Sequence, residues 1–284
     1  MEDKKTMYLL FDKLVRNGVP KLVYEENGEL NYFHLKGEKC INVLKDKLLE
    51  EAQEVIDAEN VDETTDEIGD VLDVLNALVK ALKINKRQLK KIHRKKYRKK
   101  GGFKKGLFAY FIKITQEHHY KEKYKYKDIT KDILLMVPNG DNECQFMQIN
   151  KLVRDKIVKF LKKNKQIPPY YEYVKGEKKM QLLKNKLLEE AQEVYEAKSY
   201  EDLMEEIGDV YDVLLGIMHE LKIKKRQVRK KQKAKFDFRG DFSNFVYVNW
   251  VKMPVDTPEK WAKKYKRITK EEADKIVEKN KKTN

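Results

Sequence analysis

Carboxylates recur at helical spacing in two places: Glu50, Glu51 and Glu54 followed by Glu67, Asp70 and Asp73, then Glu189, Glu190 and Glu193 followed by Glu206, Asp209 and Asp212. Spacings of three and four put side chains on one side of an α-helix. For any single EExxE a solvated acidic face is the plain explanation, because glutamate is a good helix former and charge is usually exposed. Two features argue for more. At about 100° per residue, Glu67 falls within an apolar arc beside Val71, Val74 and Leu78, and Glu206 falls beside Val210, Val213 and Ile217. A carboxylate in such a seam is costly unless it is paired or metal-bound. Crowded carboxylates also raise one another's pKa unless a cation sits among them, and Lys47 and Lys186 are few for so many. An all-carboxylate set selects a hard cation, so Mg2+, or Mn2+, is expected rather than zinc. Magnesium held this way keeps positions for water and for substrate phosphates, which points to phosphate chemistry.

Such chemistry also needs fixed cations. Arg16 and Arg154 occupy the same place in two similar stretches, and Lys156 follows the second. Lys47, Lys186, Lys100 and Arg239 complete the set expected to contact substrate phosphate, with Arg94, Lys96, Lys233 and Lys235 nearby in sequence. GGF at 101–103 pairs with GDF at 240–242, and a glycine there would let the chain turn close to a phosphate. The alternative for these basic segments is that they complement helix C-terminal dipoles.

The elements that must position these residues are duplicated. Residues 44–53 (LKDKLLEEAQ) and 183–192 (LKNKLLEEAQ) match, as do 67–73 (EIGDVLD) and 206–212 (EIGDVYD), all 139 residues apart. KLVR at 13–16 matches KLVR at 151–154 after a one-residue gap. Two copies follow, at 1–114 and 148–253, joined by a basic segment, 115–147, and followed by a charged tail, 254–284. Each copy predicts a short helix near Leu14 or Leu152, a strand at 30–35 or 170–174, and two longer helices, at 39–59 and 62–82 or 178–198 and 200–221. A basic helix at 86–99 or 225–235 and a β-rich end at 107–114 or 245–251 complete it. Leu44, Leu48, Ala52, Val55 and Ile56 form one apolar stripe, and Ile68, Val71, Leu75, Leu78, Val79 and Leu82 another. A mainly α protein is expected, with two tandem helical domains, each with a small β element, forming a pseudo-dimeric four-helix-type core. The tail at 263–281 reads as a solvated helix or a disordered segment.

Composition sets the outer limits. The 284 residues suffice for two domains, 40% are hydrophobic, and the net charge of +16 suits an anionic partner: nucleic acid, a membrane surface or phosphorylated small molecules. Cys40 and Cys144 form no metal or disulfide pattern, and His118 and His119 read as surface residues of the linker. No apolar run reaches the roughly 20 residues of a membrane span, so no membrane partner and a cytoplasmic location are expected.

Taken together, EExxE, twelve intervening residues and ExxD, with NKLVRDKI at 150–157 and the terminal GGF, resemble the all-α NTP pyrophosphatase (MazG-like) superfamily. The NKLVRDKI run is more particularly similar to its phosphoribosyl-ATP pyrophosphohydrolase-like house-cleaning branch. The resemblance covers both copies but neither linker nor tail. It implies hydrolysis of a nucleoside triphosphate to the monophosphate and pyrophosphate, to clear non-standard or surplus nucleotides. It implies magnesium on Glu51, Glu54, Glu67 and Asp70, and on Glu190, Glu193, Glu206 and Asp209. Glu50 and Glu189 are then the carboxylates left to orient or deprotonate a water. Members dimerise, so the fused copies would form an intramolecular pseudo-dimer, with further homo-oligomers open. This chain departs from the pattern at Arg16-Asn17-Gly18, where the second copy has RDK, and at Gly240-Asp241, where the first has two glycines. Two other functions remain open: a basic nucleic-acid-binding protein with structural metal sites, and a dedicated phosphoribosyl-ATP pyrophosphohydrolase.

Overall fold

The structure is a computed structural model that describes residues 6–114, 134–136, 145–164, 169–254 and 265–282. In chain order the elements begin β1 (Thr6–Val15), α1 (Val19–Glu25), β2 (Glu29–His34), α2 (Gly37–Asp57), α3 (Val61–Ala81) and α4 (Lys86–Lys100). Next come β3 (Leu107–Ile114), β4 (Leu134–Met136), β5 (Gln145–Leu152), α5 (Ile157–Lys163), β6 (Tyr170–Tyr173), α6 (Gly176–Glu196) and α7 (Tyr200–Glu220). The chain closes with α8 (Lys225–Arg239), β7 (Val246–Pro254), β8 (Lys266–Ile268) and α9 (Lys270–Lys282). The protein is mainly helical with small sheets, and no helix of the described residues is long and apolar enough to cross a membrane.

Two compact units result, and they cut across the sequence copies. One combines Met1–Asn85 with Lys224–Asn284; the other is Lys86–Ile223. The basic helix and closing strand of each copy therefore lie in the unit that holds the other copy's paired helices. In the first unit α2 packs on α3 and α8 packs on α3; in the second α6 packs on α7 and α4 packs on α7.

The helices form where the periodicity placed them, within two residues at most ends of the longer ones. Side chains at Asn60 and Ser199 cap α3 and α7 by accepting from the N–H groups of Glu63 and Asp202, at 2.9 and 3.0 Å. This satisfies donors that a helix start leaves open. Leu44, Leu48, Ala52 and Val55 on α2 and Ile68, Val71, Leu75 and Leu78 on α3 are fully buried, while Ile56 is half-buried.

The sheets correct the reading around Leu14 and Leu152. Both leucines lie in strands, and the short helices begin later, at Val19 and Ile157. In the first unit the order is β2-β7-β1-β8, and in the second β4-β5-β3-β6, with every pairing antiparallel. β1 was hidden because its alternation is filled in: Tyr8 and Leu10, between buried Met7, Leu9 and Phe11, are themselves apolar. Its partner β7 lies at the far end of the chain, with Val15 opposite Val246.

The linker and tail each contribute an edge strand, β4 and β8. The tail is thus not simply solvated, since β8 pairs with β1 and Ala273 on α9 is fully buried. His118, His119, Cys144 and the basic run at 121–127 lie outside the described residues.

Candidate metal centres

In the first unit, α2 presents Glu50, Glu51 and Glu54 to α3, which carries Glu67, Asp70 and Asp73. Carboxylate oxygens of Glu51, Glu54 and Glu67 all lie within 4.8 Å of one another. In the second unit the corresponding helices, α6 and α7, bring together Glu190, Glu206 and Asp209 within the same distance. Six of the eight residues expected to hold metal thus converge as two trios. Asp70 and Glu193 are the two outside them: Asp70 is held by cations described below, and Glu193 is exposed.

Glu51, Glu190 and Asp209 are buried, Glu54, Glu67 and Glu206 are half-buried, and the trios are under-satisfied. Glu51 is 3% and Glu190 2% exposed. Lys47 binds one oxygen of Glu51 at 2.5 Å and Glu50 at 3.0 Å, and Lys186 binds Glu190 at 2.6 Å and Glu189 at 2.9 Å. The other oxygens, Oε2 of Glu51, Glu67 and Glu190, are buried without a hydrogen-bond partner. Burial is the main force raising the pKa of Glu51, Glu67 and Glu190 to about 7 and that of Glu206 to about 8. Lys47, Lys235, Lys186 and Lys96 respectively oppose it, while neighbouring carboxylates add to it. A native interior rarely leaves a charged oxygen without a partner, so each trio is a gap in charge that a cation would fill.

Arg16 and Arg154, expected on substrate phosphate, lie against aspartates and a backbone carbonyl. Both are buried, and Arg16 donates to Asp70 at 2.5 Å, to Asp73 at 2.8 Å and to the carbonyl of Gly240 at 3.0 Å. Arg154 donates to Asp209 at 2.6 Å, to Asp212 at 2.8 Å and to the carbonyl of Gly101. Phe242 and Phe103 lie under the two guanidinium groups at 4.8 and 5.0 Å. A buried guanidinium demands charged or carbonyl acceptors, and these arginines find them within the protein. Gly101 and Gly240 have φ of +79° and +75°, which glycine adopts without strain. Their service is to aim a carbonyl at an arginine after a helix end.

Two lysines that the sequence places only among the basic residues around the site, and two polar residues it does not single out, come from the exchanged helices. Lys235 on α8 reaches Asp66 at 3.0 Å and Asp70 at 2.6 Å. Lys96 on α4 reaches Glu205 at 3.1 Å and Asp209 at 2.9 Å. Beside them Gln232 donates to Asp73 at 2.7 Å, and His93 Nε2 donates to Asp212 at 2.8 Å. Lys96 and Lys235 occupy matched positions in the sequence, and only the exchange shows which carboxylates each one meets. Of the remaining phosphate candidates, Lys100 is half-buried, and burial lowers its pKa, with Lys96 and Arg154 adding to the effect. Lys156 and Arg239 are exposed beside Tyr97 and Phe238.

Comparison with known proteins adds no relative. No family model, no curated protein and no solved structure matches this chain.

The trios meet the requirements of a hard divalent cation: oxygen donors only, closely spaced, with buried oxygens left unpaired. Glu51, Glu54 and Glu67 would hold it in one unit, and Glu190, Glu206 and Asp209 in the other.

Proposed function

We propose that the protein is a magnesium-dependent nucleoside triphosphate pyrophosphohydrolase, releasing the monophosphate and pyrophosphate. The observation that carries this reading is the pair of partly buried carboxylate trios, each with at least one orphaned buried oxygen. Bound magnesium supplies positive charge to phosphate oxygens and lowers the pKa of a coordinated water.

The chain's own residues do the positioning. Arg16 and Arg154 hold Asp70, Asp73, Asp209 and Asp212 in fixed rotamers, which sets the helix face that carries the trios. Lys47 and Lys186 hold one oxygen of Glu51 and of Glu190. Glu50 and Glu189 sit next to the trios, partly exposed, where a carboxylate can orient or deprotonate an attacking water. Half-buried Lys100 is the cation best placed for a substrate phosphate in the second unit.

The copies act together on this reading, as an intramolecular pseudo-dimer. Each carboxylate set takes a lysine from the other copy, so neither copy completes a centre alone. House-cleaning of non-standard or surplus nucleotides is the role that fits an enzyme of this kind in the family it resembles.

The test is pyrophosphate release from a panel of nucleoside triphosphates, phosphoribosyl-ATP included, with and without magnesium. Release that requires magnesium is expected. Inertness of folded protein toward the whole panel, with magnesium present, would overturn the reading.

A further inference from the structure

The inner side of α4 serves the second carboxylate centre; its outer side does something else. Ten of the fifteen residues of this helix are Lys or Arg, and none is acidic. Leu89, His93 and Lys96 lie on the buried or half-buried side. Lys90, Lys91, Arg94, Lys95, Arg98 and Lys99 are exposed, and among the described residues none of these six forms an ion pair.

A solvated helix gains nothing from such a face. Lys90 and Arg94, Lys91 and Lys95, Arg94 and Arg98, and Lys95 and Lys99 are like-charge pairs four residues apart, and each such pair destabilises a helix. Other exposed lysines are balanced by acids, as in Lys233 with Asp237 and Lys178 with Glu172. Repulsion that no ion pair among the described residues relieves is relieved by a polyanion.

We propose that the outer face of α4 docks on double-stranded DNA through its phosphates, independently of the metal centres. The six cations cover an arc of about 180° at 100° per residue, wide enough to face both phosphate strands of a groove. The major groove of DNA, about 12 Å wide, admits an α-helix, whereas that of duplex RNA is too narrow for side chains to read. No exposed aromatic or large apolar side chain lies on this face, since Ile92 and Tyr97 are half-buried. Nothing there would stack on single-stranded bases or enter a lipid surface. Contact through phosphates alone carries no sequence preference.

The full-length protein should bind a fluorescent DNA duplex of about 20 base pairs with affinity that falls steeply with salt. Lys91→Glu, Arg94→Glu, Lys95→Glu and Arg98→Glu together should weaken binding at least tenfold. Substituting glutamine at the same four positions should make the salt slope shallower by about 3.6, at roughly 0.9 for each phosphate no longer neutralised, and keeps the test valid if the glutamate variant misfolds. Duplex binding unchanged in the glutamine variant would overturn the proposal. So would failure to bind duplex DNA at low salt, including the case in which only single-stranded DNA, duplex RNA or phosphatidylserine vesicles are bound.

Discussion

Glu50 and Glu189 stand at matched positions and differ in company. Among the described residues Glu50 has one ion pair, with Lys47, whereas Glu189 is held by both Lys186 and Lys151. The equivalent of Lys151 is Lys13, which lies over the ring of Tyr265 at 5.1 Å instead. Burial works against the Glu189 carboxylate, yet Lys186 and Lys151 keep its pKa below the usual range. The second centre is the more buried as well: the side chain of Asp212 is fully buried, against 18% exposure for Asp73. A duplicated sequence has thus produced one open, loosely held centre and one closed, tightly paired centre. On the proposed function, the first keeps a freer carboxylate for water and the second a more rigid frame.

Removing the ligands common to both centres has the largest expected effect. Glu67→Gln together with Glu206→Gln should abolish magnesium-dependent pyrophosphate release, with the circular-dichroism spectrum unchanged. The single variants then divide turnover between the centres, and equal losses would erase the distinction drawn between Glu50 and Glu189.

Next in size is the arginine clamp. Truncating one partner of a buried ion pair costs about 3–5 kcal/mol. Arg154→Ala should approach that range in chemical denaturation, and Arg16→Ala should fall short of it because Asp70 and Asp73 are the more exposed pair. The reverse order would break the assignment of the tighter frame to the second unit.

The pH dependence follows from carboxylates whose folded pKa is raised. Such a group binds more protons folded than unfolded, so stability falls as pH rises from its unfolded value near 4.5 to its folded value. For Glu51, Glu67 and Glu190 the loss is complete near pH 7, and for Glu206 it continues to about pH 8. Magnesium competes with these protons, so the rise in Tm on adding magnesium should grow from about pH 6 to about pH 9. Glu206→Gln takes a ligand from the second trio and should remove that centre's share of the magnesium shift at every pH. A magnesium shift that is flat with pH would mean that the ion binds elsewhere.

The smallest effect concerns the motif departures. Asn17 donates to Asp241 at 2.8 Å, whereas Asp155, its counterpart, accepts from the N–H groups of Lys104 and Lys105 with Gly102 alongside. Asn17→Asp should cost on the order of 1 kcal/mol by setting two carboxylates together and losing a part-buried donor, and Asp241→Gly in the same chain should recover most of it. Without that recovery, the two departures would not be compensating partners.

Both departures were visible as isolated differences between copies. Their complementarity was not, because it exists only after exchange, when the Asn17 of one copy meets the Asp241 of the other. β1 was lost for a related reason: nothing local in TMYLLFDKLV indicates a partner more than two hundred residues away. The carboxylates, by contrast, were legible from spacing, since neighbours along one helix face depend on nothing beyond the helix itself.

Periodicity alone therefore determined where the longer helices lie, which carboxylates share a face and which apolar stripes are buried, because these follow from 3.6 residues per turn. Tertiary structure decided which copy's basic helix meets which carboxylates, that Arg16 and Arg154 clamp aspartates, and that Asp70 and Glu193 fall outside the trios. The physical reason is the duplication. Near-identical segments satisfy the same local rules whether a copy folds on itself or on its twin, and only the packing of the whole chain separates the two.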